Sequence, residues 1–124
     1  MSQLSFAKRL VVCAVIATLV AQGLGVLLWA GYSRQWLPLH VAAGAILVIG
    51  LWIAGYMAAR SGVSIYRVMF AAFWGFVVIG LGYWQSDLLV GERHRLPRAM
   101  HLIAGIAALA QIRYLTTSTA SNKP

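Results

Sequence analysis

The sequence predicts an all-α fold: an integral membrane bundle of four antiparallel helices. Two features of composition and one of pattern carry that prediction. Hydrophobic residues make up 61% of the chain, and mean hydropathy is +0.80. Charged residues make up only 10%, against roughly 25% in soluble domains. The apolar residues fall into four stretches, at 10–31, 37–59, 66–85 and 98–115. Each is close to the ~20 residues that cross a hydrocarbon layer of about 30 Å. No linker or low-complexity run divides them, so residues 1–124 read as a single membrane domain.

The first stretch follows Lys8 and Arg9 and superficially resembles a signal peptide. It is longer than the usual apolar region of one and lacks a convincing small-x-small cleavage site, so it reads as a span. Its one cysteine, Cys13, is the only one in the chain and forms no internal disulfide. The first gap, GYSRQWLP, ends on Pro38, which suits the first turn of a helix because its missing N–H costs no hydrogen bond there. The second gap, ARSGVSIYR, holds Gly62, with Ser61 and Ser64 as candidate caps. The third, QSDLLVGERHRLPR, carries both acidic residues, Asp87 and Glu92. The polar tail after Tyr114, LTTSTASNKP, is expected to fray.

Four spans place both termini on one side. That side carries Lys8, Arg9, Arg60, Arg67, Arg113 and Lys123; the other carries Arg34, Arg93, Arg95 and Arg98. Six against four favours cytoplasmic termini by the positive-inside rule, and the expected location is a bacterial inner membrane. The formal charge of +8 is read as topology and contact with anionic lipid headgroups. Nucleic acid is excluded as a partner, because no soluble basic face exists to bind it.

Two stretches nearly repeat: LHVAAGAI at 39–46 and MHLIAGIA at 100–107, each with His-x-x-Ala-Gly. Gly-Leu-Gly also recurs, at 23–25 and 80–82. The chain thus reads as two tandem hairpins, each a Gly-Leu-Gly helix followed by a His helix. An offset of two spans preserves direction, so His40 and His101 are expected at similar depth near the outer interface. Gly44 and Gly105, four residues on, lie on the same helical faces as the histidines. They are expected to open a slot beside each imidazole for a flat macrocycle.

Two neutral imidazoles facing each other across a bundle form the usual cage of a six-coordinate haem. The expected cofactor is therefore haem b, with His40 and His101 as iron ligands. Arg34, Arg95 and Arg98 at the same end are the expected partners of its propionates. Trp36, Trp74, Tyr83 and Trp84 are candidate walls. Two other readings stand beside this one: interfacial or packing histidines with ordinary small-residue contacts, and another metal. Two histidines without a carboxylate or cysteine make a poor zinc or iron site. His94 reads as a solvated loop residue, Arg113 as a snorkelling end residue, and Gln22 and Gln111 as hydrogen-bonding links between helices.

Four helices with one His early in the second and another 61 residues later, early in the fourth, resemble one half of a haem A synthase. The resemblance covers about 35–115. In that family each four-helix half holds a haem between two such histidines, which correspond to His40 and His101 here. The catalytic half has an acidic residue one turn before its first histidine and commonly an arginine after it. This chain has Leu37 and Val41 there, so the likeness is to the haem-holding architecture or to the non-catalytic half.

The expected function is thus a b-type membrane cytochrome carrying electrons near the outer face. Its expected partners are lipids, a quinol or another redox protein, and a second copy or a larger complex. The alternatives are a scaffold subunit without haem and a haem-modifying enzyme. Small multidrug transporters rely on a carboxylate in the first span, and none is present here.

Overall fold

The computed structural model of the protein describes residues 3–84 and 95–121. Asp87, Glu92 and His94 lie outside the described residues. Gln3–Trp29 form α1, Leu37–Arg60 α2, Ile65–Trp84 α3 and Arg95–Ser121 α4. A single 3-10 turn, Arg34–Trp36, leads into α2, where Pro38 occupies the first turn. All four helices are long and apolar enough to cross a membrane.

The first two helices end in the same way. Gly31 and Gly62 adopt φ of 87° and 76°, a left-handed conformation that glycine reaches without a Cβ penalty. The reversed backbone lets Tyr32 N–H bond back to Leu27 O at 3.1 Å and Val63 N–H to Ala58 O at 3.0 Å. Carbonyls that the helix leaves unpaired at its end are satisfied in this way.

Helices α2 and α4 form the centre of the bundle, each packing against all three others, whereas α1 and α3 do not approach each other. Small residues make the close contacts. Ala7, Ala14, Ala17 and Ala21 line the buried stripe of α1, and Ala54, Ala58 and Ala108 are fully buried between α2 and its neighbours. Large apolar side chains face outward instead, among them Leu19, Phe73 and Ile103 at 69%, 63% and 63% exposure. This inversion suits a lipid environment, where packing of small residues replaces the hydrophobic drive between helices.

The buried positions recur at fixed spacings. Ala43, Leu47, Leu51, Ala54 and Ala58 of α2 stand 61 residues before Ala104, Ala108, Ile112, Leu115 and Thr119 of α4, all buried. Ala14, Thr18 and Ala21 of α1 stand 57 residues before Ala71, Gly75 and Val78 of α3, again all buried.

The tail corrects an expectation. Instead of fraying after Tyr114, α4 runs on to Ser121, with Thr116 and Thr119 buried at 5% and 4% exposure. Their hydroxyls donate to Ile112 O and Leu115 O, each at 2.8 Å. A threonine that bonds back to its own helix hides its polarity, so a polar-looking stretch can stay helical.

Candidate functional site

Among the described residues, four of the five helix–helix contacts carry a side-chain hydrogen bond to a backbone carbonyl. His40 Nδ1 lies 2.8 Å from Ala21 O, joining α2 to α1. Trp52 Nε1 donates to Ala72 O at 3.2 Å, joining α2 to α3. Trp74 Nε1 donates to Ala104 O at 3.0 Å, joining α3 to α4, and Gln22 Nε2 donates to Leu102 O at 3.1 Å, joining α1 to α4. Gln22 therefore links helices as its sequence suggested. For Gln111 the side-chain oxygen Oε1 is buried without a partner.

The remaining contact, between α2 and α4, brings the two histidines together. Their ring centroids stand 6.0 Å apart with the planes at 63°. Both side chains are half-buried, His40 in the first turn of α2 and His101 in the second turn of α4. Parallel helices entered from the same end explain why residues 61 apart in sequence meet at one depth.

The glycines beside these imidazoles are not Gly44 and Gly105. A Cβ on Gly44 would meet nothing within 4 Å, and one on Gly105 would strike the amide nitrogen of Gln22. Gly44 thus borders open space near His40, while the space at Gly105 is filled by Gln22. The glycines that back the rings are Gly25 of α1 and Gly82 of α3. A Cβ on Gly25 would lie 3.2 Å from His40 Cε1, and one on Gly82 would lie 3.0 Å from His101 Cε1.

Helix geometry explains the choice. A helical Cβ tilts toward the N-terminus, over the preceding turn. Without one, residues 25 and 82 leave open the carbonyls four positions back, those of Ala21 and Val78. Ala21 O is the group that His40 bonds. The Val78 carbonyl interacts with the His101 ring but lies outside bonding geometry for Nδ1, which is buried without a partner. Both glycines belong to the Gly-Leu-Gly repeat, so their spacing was visible in the sequence. The carbonyls they uncover carry no side-chain signature.

Of the other predicted residues, Arg34 and Arg95 are exposed and Arg98 is half-buried. All three lie in the 3-10 turn or the first turns of α4, at the end of the bundle where the histidines sit. Trp74 is engaged with Ala104 and stacks on Phe70 at 5.5 Å. Trp36, Tyr83 and Trp84 are exposed. Among the described residues no three His, Cys, Asp or Glu side chains cluster as a metal site would. Two surface grooves lie away from the histidines. One, of about 280 Å³, is bordered by Trp52, Tyr56 and Phe76; the other, of about 350 Å³, by Tyr66, Arg67, Gln111 and Tyr114.

No protein-family model matches this chain, and comparison with curated proteins and with solved structures gives no significant match. The site must therefore speak through its own chemistry.

Proposed function

We propose that the protein is a membrane cytochrome in which His40 and His101 hold one b-type haem near the outer face. The observation that carries this reading is the spacing of the imidazoles. The ring centres stand 6.0 Å apart, close enough that one metal between the helices could take a nitrogen from each ring at about 2.0 Å. His40 keeps Nε2 available because Nδ1 is engaged by Ala21 O. A haem so ligated supplies a one-electron couple and no open iron position, which favours electron carriage over chemistry at the metal.

The surrounding residues have matching roles. Arg34, Arg95 and Arg98 offer cations to the propionates, and Arg98, the half-buried one, is the best placed. Nearby cations favour the reduced, less positive centre, so Arg98→Ala should lower the midpoint potential or weaken haem retention. The electron partner is a quinol or another redox protein. The assembly, as a second copy of this chain or part of a larger complex, belongs to the same proposal. So does the orientation, with termini in the cytoplasm of a bacterial inner membrane, which rests on six positive residues against four.

The deciding experiment is an absorption spectrum of the purified protein in detergent, before and after dithionite. A Soret band with sharp reduced α and β bands is expected, and His40→Ala or His101→Ala should abolish the α band or turn it high-spin. Colourless protein after haem supplementation would overturn the proposal in favour of a scaffold role. Rapid carbon monoxide binding by the native protein, or an altered porphyrin, would replace the electron-carrying role with a haem-modifying one. Reporter fusions at the C-terminus test the orientation.

A further inference from the structure

The two imidazoles lie 6.0 Å apart in an edge contact but are not held alike. His40 Nδ1 is 2.8 Å from a backbone carbonyl, Ala21 O. A carbonyl only accepts, so that nitrogen carries the proton and Nε2 is the bare one. His101 Nδ1 is buried outside hydrogen-bonding geometry: the Val78 carbonyl, at the position of Ala21 in the other hairpin, lies beside the ring without forming the bond that Ala21 O forms. A hydrogen bond from the distal ring nitrogen fixes the tautomer, holds the ring orientation and makes the other nitrogen a more basic ligand. One of the two rings has that support.

From this inequality we infer that His40 is the anchoring ligand of the site and His101 the exchangeable one. A small neutral nitrogen base, such as added imidazole, would then replace His101 on the α4 side. Gly25 is a positioning residue in this scheme. It touches no ligand, but a Cβ there would lie 3.2 Å from His40 Cε1 and push the ring off the Ala21 carbonyl. Gly82 has the same steric relation to His101 without a bonded carbonyl to protect. The inference rests on the haem reading for its ligand, but its cause lies in the protein alone, so it can be tested with and without haem.

The first measurement is ¹⁵N NMR of the histidine side chains in haem-free protein, at a pH where both are neutral. His40 should show one tautomer with Nδ1 protonated, and His101 an average of two. Identical tautomer signatures would overturn the inference. The second compares haem content after purification. His101→Gly should retain several-fold more haem than His40→Gly, and added imidazole should return it to a low-spin spectrum. Equal losses, or the reverse order, would overturn it. Gly25→Ala should shift the His40 tautomer signals and lower haem retention, while Gly82→Ala leaves His40 unchanged; an unaltered His40 tautomer in Gly25→Ala would remove Gly25 from the scheme. If wild-type protein takes up no haem, the proposed function fails by itself, and the tautomer measurement still decides whether the histidines are unequal.

Discussion

The hairpin α1–α2 and the hairpin α3–α4 share many of their buried positions and support their histidines differently. In the first, Gly25 and the Ala21 carbonyl seat His40 with a full hydrogen bond. In the second, Gly82 backs His101, but Nδ1 is left without a partner. The clearest chemical difference at the contact is Ala21 against Val78, both buried. Valine carries two methyl groups that alanine lacks, beside the carbonyl that His101 approaches without bonding. The α3–α4 contact is closed instead by Trp74 on Ala104 O. Similar burial places the two helix pairs alike, yet only one histidine reaches its carbonyl. Backbone placement and side-chain chemistry are thus set by separate features.

The equivalence of the hairpins can be broken most strongly at the centre. Leu51 and Ile112, both 0% exposed and at matching positions, should each cost about 2–5 kcal/mol when replaced by Ala. Reversible unfolding in detergent would measure both, and a cost confined to one would refute their structural equivalence. Next come Gly25→Ala and Gly82→Ala. Each puts a methyl close to an imidazole, and overpacking of this kind costs about 1–3 kcal/mol. Gly25→Ala should lie at the upper end, because it also disrupts the Ala21–His40 bond. A cost at Gly25 well below that at Gly82, where the contact is tighter at 3.0 Å against 3.2 Å, would mean that this bond contributes nothing.

Val78→Ala sharpens the comparison from the other side. It should free space beside the residue-78 carbonyl and let His101 form the hydrogen bond that His40 has. That bond is worth about 0.5–1.5 kcal/mol, offset by the methyl groups lost, so the net change in stability is small. The readout is spectroscopic: His101 should convert to a single tautomer, and an unchanged average would show that the residue-78 side chain does not govern this bond. The smallest effect is expected at Gln22, whose link to Leu102 O has no counterpart in the other hairpin. Gln22→Leu should cost about 0.6 kcal/mol, the average for such bonds between membrane helices. A loss of several kcal/mol would mean that the amide also supports the core through Gly105.

Four helices in their order and the meeting of His40 with His101 were legible in the sequence for one reason, although α1 begins at Gln3 and α4 ends at Ser121, beyond the expected 10–31 and 98–115. A hydrocarbon solvent forces each backbone to satisfy itself as a helix of fixed length, so hydropathy and residue spacing translate directly into depth. The Gly-Leu-Gly repeat was legible too, as a repeat. What the glycines do was decided only by tertiary structure. Gly44 and Gly105 share a helix with the histidines and were the natural choice from one-dimensional spacing. Helix packing instead brings Gly25 and Gly82 from neighbouring helices against the rings. The same holds for the helical tail to Ser121, whose polarity is hidden by bonds from hydroxyl to carbonyl. It holds as well for the carbonyls of Ala21 and Val78. Every residue has a carbonyl, so no residue type announces one, and only the approach of another helix determines which of them a histidine can reach.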